Sequence, residues 1–151
     1  MWDKLRKQVE VERAQLHQLL EAYRVTVEKT ASTAPSDMEL YALAGLLHSF
    51  YNGIENIFKR VAEEVDGQLP RGPAWHRQLL DTMSQPGKSR PAVISASIVE
   101  RLDAYLDFRH FFRHSYVFHL RWDMMKALVL NCEETLGQLE AELDLFLAKG
   151  E

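Results

Sequence analysis

The chain has 151 residues, 46% of them hydrophobic and 26% charged, with one cysteine, Cys132, and a formal net charge of −4 at neutral pH. That length fits a single domain, residues 1–151, able to bury a real core without staples. The lone cysteine excludes an internal disulfide, and the net negative charge argues against broad, non-specific coating of nucleic acid.

The apolar pattern is helical almost throughout. Trp2, Leu5, Val9, Leu16, Leu19, Tyr23 and Val27 recur at steps of three, four and seven, one stripe of an amphipathic helix from Trp2 to Lys29. Thr30 to Pro35 interrupts it. Ser36-Asp37-Met38-Glu39 has the spacing of a capping box. It opens a second stripe through Leu40, Leu43, Leu47, Phe50, Ile54, Ile57, Val61 and Val65, stopped by Asp66-Gly67. Leu69 to Pro73 reads as a loop, Ala74 to Ser84 as a short helix, and Pro86 to Pro91 as a second loop. Ser97 to Glu100 has capping-box spacing for a helix reaching about Arg113. A last long helix, Leu120 to Ala148, carries Leu120, Met124, Leu128, Cys132, Leu136, Leu139, Leu143 and Phe146. The expected fold is an all-α bundle of four long helices and one short helix. No apolar run approaches the ~20 residues of a membrane span, and no signal-peptide core follows Met1. The expected location is the cytoplasm.

Within this acidic chain, Phe108 to Arg121 holds three arginines, three of the six histidines and no acid. Arg109, His114 and Tyr116 stand in it as Arg-x4-His-x-Tyr. On one straight helix Arg109 and His114 would lie about 140° apart, with His114 and Tyr116 nearly opposed, by the 3.6-residue repeat. Residues two apart face the same way in extended chain, so His114 and Tyr116 become neighbours only if the helix ends near Arg113. Ser115 to Phe118 are weak helix formers, which fits such a break. Cleavage of RNA by its own 2′-hydroxyl needs a base, an acid and a charge on the phosphate. Histidine serves the first two roles and arginine the third.

The bland alternatives are core packing for Phe111, Phe112 and Phe118, and surface pairing of Arg101 and Arg121 with acids such as Asp103 and Asp123. His17 and His48 read as structural, His76 as interfacial or structural, and Cys132 as a buried apolar residue. His110 and His114 also have the spacing of a metal-chelating pair, but no further ligands are evident. Phosphate-loop, dinucleotide and di-iron motifs are absent from the sequence.

Arg109-x4-His114-x-Tyr116 in an all-α chain of this size resembles the HEPN superfamily, and most closely its HepT-like toxins. The segment Tyr51 to Arg60, Trp75-His76 and Arg90-Pro91 share the likeness, which runs from about Leu43 to Trp122. The resemblance implies a HEPN-like bundle that forms a homodimer, with the two motifs facing across a cleft. It implies an endoribonuclease that uses no metal or other cofactor. Arg109 would bind the scissile phosphate and His114 act as general base or acid. It also implies a nucleotidyltransferase antitoxin of the MntA type, which adds AMP to Tyr116. Two positions depart from the usual pattern, His110 where asparagine is common and Ser115 where glycine is common. His110 is therefore a possible auxiliary group. Arg113 with His119 fits Arg-x5-His, a second register. The competing readings are a non-catalytic HEPN-fold module that holds a nucleotide or a nucleotidyltransferase partner, and a purely structural helical adaptor.

Overall fold

The computed structural model describes residues 2–150. It contains α1 (Asp3–Thr30), α2 (Asp37–Val61), α3 (Trp75–Met83), α4 (Ala96–His114), α5 (Trp122–Leu130) and α6 (Cys132–Ala148). The all-α bundle read from the periodicity is present, and no strand occurs among the described residues.

The second helix, α2, is the centre of the bundle and packs against α1, α3, α4 and α5. A helix with neighbours on several sides cannot keep a single apolar stripe. Leu43, Leu47, Phe50, Ile54, Ile57 and Val61 are buried as the stripe requires, and Leu46, Tyr51 and Phe58 are buried beside them. The start of α2 is fixed by a complete capping box. Glu39 N donates to Ser36 Oγ at 3.2 Å, and Ser36 N donates to Glu39 Oε1 at 2.9 Å, which satisfies two amides that the helix leaves free. Across the α1–α2 contact, a Cβ at Gly53 would lie 2.6 Å from Leu16 Cδ2, so the absence of a side chain there lets the two helices approach.

The helix α2 widens into a π-helical turn, Ala62–Asp66, and stops at Gly67, whose φ of 77° lies in the left-handed region. Asp66 then receives a buried arginine from the loop after α3. Arg90 Nε donates to Asp66 Oδ1 at 2.7 Å and Nη2 to Oδ2 at 3.0 Å. Its Nη1 donates to the carbonyls of Gln85 and Pro91. One guanidinium thus ties the end of α2 to the loop that leads into α4.

Three sequence expectations are corrected. The cap of α4 is Ser95, not Ser97. Ser95 is extended and its Oγ accepts from Ile98 N. The Glu142 carboxylate of α6 accepts from both Ser95 N and Ser95 Oγ, at 2.6 and 2.9 Å. A contact from a distant helix decided between two serines with similar local credentials. The last long helix is two helices, which begin at Trp122 and break at Asn131, a poor helix former with φ −100° and ψ 3°. The break rotates the register, so Met125 is buried while Met124 is exposed. Phe118 is not core but exposed, because the chain leaves the helix before reaching it. Phe111 and Phe112 do pack against the core.

Cys132 is buried, its Sγ donates to the Leu128 carbonyl, and burial pushes the thiol up to about 12. It is an inert packing residue. Arg121 pairs with Asp123 as expected. Arg101 instead meets Glu134 and Gln138 of α6, and Asp103 is taken by Arg77 of α3.

Candidate active site

The fourth helix, α4, ends at His114, and both Ser115 (φ −121°, ψ 155°) and Tyr116 (φ −78°, ψ 151°) are extended. The break on which the Arg-x4-His-x-Tyr reading depends is therefore present. A single 3-10 turn, Val117–His119, follows, closed by His119 N on the Tyr116 carbonyl. Leu120 then returns to the core.

Arg109 and Arg113 lie four apart and share the face of α4 that looks toward α2 and α3. Arg109 Nε donates to Asn52 Oδ1 at 2.8 Å. That bond fixes the Asn52 amide, whose Nδ2 lies 3.1 Å from His48 Nε2. An amide nitrogen only donates, so His48 Nε2 accepts and its proton sits on Nδ1. His48 Nδ1 is buried with no hydrogen-bond partner among the described residues. Burial, followed by the charges of Arg109 and Arg113, holds the His48 imidazole below its ordinary range. The sign of the consequence is fixed. Below about pH 6.5 the unfolded chain binds a proton that the folded chain refuses, so stability is full above that value and falls as pH drops beneath it. His48→Gln is expected to flatten this decline, measured by urea unfolding between about pH 7.5 and 5. An unchanged slope would remove His48 as its cause.

A hollow of about 430 Å³ opens beside Arg109 and Arg113. Asn52, Glu55, Asn56 and Lys59 line it from α2, and Trp75 and His76 from α3. A second hollow of about 420 Å³ adjoins it, sharing Arg109 and His76 and reaching His110. Among the described residues, Arg109, Arg113 and Lys59 have no carboxylate within ion-pairing distance, whereas Arg13, Arg60, Arg77, Arg90, Arg101 and Arg121 all do. Lys59 instead sits 5.4 Å above the Trp75 ring. Three cations without an ion-pair partner, against the one carboxylate of Glu55, give this concavity a net positive lining suited to an anion.

The remaining residues of the motif face elsewhere. His114 packs against His110, with ring centroids 4.6 Å apart and the planes tilted by 53°, and neither His114 nor Tyr116 lines the hollows that Arg109 lines. Tyr116 is 71% exposed and stacks on Phe118 at 5.2 Å, with His119 packed against both rings. The chain thus presents two surfaces, an arginine-lined cleft and an exposed histidine–aromatic edge.

Sequence patterning alone assigns no individual roles to Asn52, Glu55 and Lys59, and it reads His76 as interfacial or structural. A signal is nonetheless there. Positions 52, 55, 56 and 59 form a polar stripe at helical spacing on a mainly apolar helix, and polar groups on a buried helix need partners.

The helical bundle, with Arg109 and His114 in the last turns of its fourth helix, is of the HEPN class. The model of the HepT-like protein family matches residues 42–149, from α2 to the end of the bundle, and the chain belongs to that family of HEPN-type toxins. No match was found among curated proteins or among solved structures. No helix among the described residues is long and apolar enough to cross a membrane.

Proposed function

We propose that the chain, as one domain over residues 1–151, is the endoribonuclease toxin of a toxin–antitoxin pair and cleaves RNA without a metal. The observation that carries this reading is the unpaired Arg109–Arg113 face at the point where α4 ends in His114. Arg109 is the phosphate ligand, presenting its free guanidinium nitrogens while Nε is tied to Asn52. His114 transfers a proton. Arg113, His110 and His119 are auxiliary groups around them.

His114 and Arg109 point to different surfaces of one protomer, so the reading calls for a homodimer in which His114 of a second copy meets the cleft. The exposed Val117 and Phe118 supply an apolar edge for that contact. Tyr116, exposed in extended chain, is open to an adenylylating antitoxin of the MntA type. The divergence of Arg109 and His114 equally favours a second reading, a non-catalytic module that binds a nucleotide or a nucleotidyltransferase.

Expression in cells separates the two. Wild type is expected to arrest growth and degrade RNA, and Arg109→Ala and His114→Ala to do neither. Equal behaviour of all three would favour the binding module. Intact-mass measurement after co-expression with a neighbouring nucleotidyltransferase is expected to find an adenylyl adduct that Tyr116→Phe lacks. Neutralisation with no adduct would mean control by binding alone.

A further inference from the structure

His76 is not part of the Arg-x4-His-x-Tyr motif, yet it is the histidine that shares a cleft with Arg109. It stands in the first turn of α3 and lines both hollows. Its Nδ1 lies 2.7 Å from Glu55 Oε2, and Glu55 is 5% exposed on the central helix. A carboxylate accepts from an imidazole N–H, so the Nδ1 proton is committed to Glu55, and in the neutral ring the lone pair is on Nε2, the nitrogen left for the cleft. Trp75 stacks on the ring at 3.7 Å and limits its rotation. A buried carboxylate that fixes an imidazole's tautomer, beside three cations that make no ion pair, is an arrangement suited to taking a proton from a group next to a bound phosphate.

We propose that His76, positioned by Glu55, is the general base of the cleft. This rests on the ribonuclease reading above. The proton of the ribose 2′-hydroxyl passes to His76 Nε2 as the O2′–P bond forms. The P–O5′ bond breaks, and the leaving 5′-oxygen takes its proton from an acid, the role this leaves to His114. The products are a 2′,3′-cyclic phosphate and a 5′-hydroxyl. Glu55 is a positioning residue, which orients the ring and faces the positive charge it gains. Arg109 and Arg113 meet the phosphate oxygens.

The test is single-turnover cleavage of a short RNA by the purified full chain. His76→Ala is expected to slow cleavage by about 100-fold or more, and added imidazole to restore part of the rate. A substrate whose 5′-oxygen is replaced by sulfur needs no acid to leave, so it should rescue His114→Ala and not His76→Ala. Glu55→Gln should slow cleavage when His76 is present and add nothing in the His76→Ala background, whereas a structural role would add in both. An NMR titration of the wild type with a 2′-O-methyl oligonucleotide avoids any loss of fold in a variant, and is expected to move the His76 ring resonances. Full-rate cleavage by His76→Ala, alongside an inactive Arg109→Ala, would overturn the assignment to His76 and leave the ribonuclease reading standing. Unmoved His76 resonances in a bound complex would overturn it too. RNA untouched by the wild type would overturn both.

Discussion

Arg109→Ala is expected to lower RNA cleavage by about 100-fold or more, the loss seen when one fixed donor to a developing charge is removed. That is about 3 kcal/mol of transition-state stabilisation. The size follows from how Arg109 is held. Its Nε is spent on Asn52, whose amide is locked in turn by His48. The fork therefore meets a phosphate already oriented, with little ordering left to do. Arg109→Lys keeps the charge but loses both the Asn52 bond and the bidentate geometry, so it is expected to recover only a small part of the activity. Fold should survive either change. The guanidinium is half-buried and makes one side-chain hydrogen bond, worth about 1 kcal/mol, so the melting temperature should move by only about 2–4 °C. Cleavage by Arg109→Ala at the wild-type rate would remove Arg109 from the site.

Arg90→Leu is expected to have the largest effect on stability, a loss of about 3–5 kcal/mol. It should be visible as a fall of roughly 10 °C in melting temperature for a chain of this length. The Arg90 side chain is 1% exposed and Asp66 16%. Removing the guanidinium leaves the Asp66 carboxylate with its charge uncompensated, and frees the carbonyls of Gln85 and Pro91. Arg90→Lys cannot reproduce the fork, so it is expected to fall between wild type and Arg90→Leu. The double change Asp66→Asn, Arg90→Leu should cost less than Arg90→Leu alone, because the buried charge is gone. A melting temperature within about 2 °C of wild type for Arg90→Leu would refute the clamp.

These two arginines differ in how legible they are in the sequence. Arg109 stands out from its neighbours in the chain, because its spacing to His114 and Tyr116 is a local pattern and the weak helix formers after it announce the break. Arg90 is not visible in that way. It lies in a loop rich in proline and glycine, where an arginine reads as solvent-exposed, and only the approach of Asp66 from the end of α2 makes it interior. The same division runs through the helices. The Ser36 capping box is local and legible. The choice of Ser95 over Ser97 depends on Glu142, 47 residues away. The interruption at Asn131 is hidden because the apolar positions on both sides fit one helical stripe.

Interactions between near neighbours along the chain are enough to set where most of the helices lie, the isolation of a cationic stretch inside an acidic protein, and the end of α4 between Arg109 and Tyr116. Side-chain period, backbone propensity and charge act over a few residues, so their effects can be read in order. What faces the cationic stretch is a matter of packing between distant segments. With α2 at the centre, Asn52, Glu55 and Lys59 come beneath α4, and the placement of α3 sets His76 on Glu55. Such proximities depend on how the helices cross, which no local pattern records.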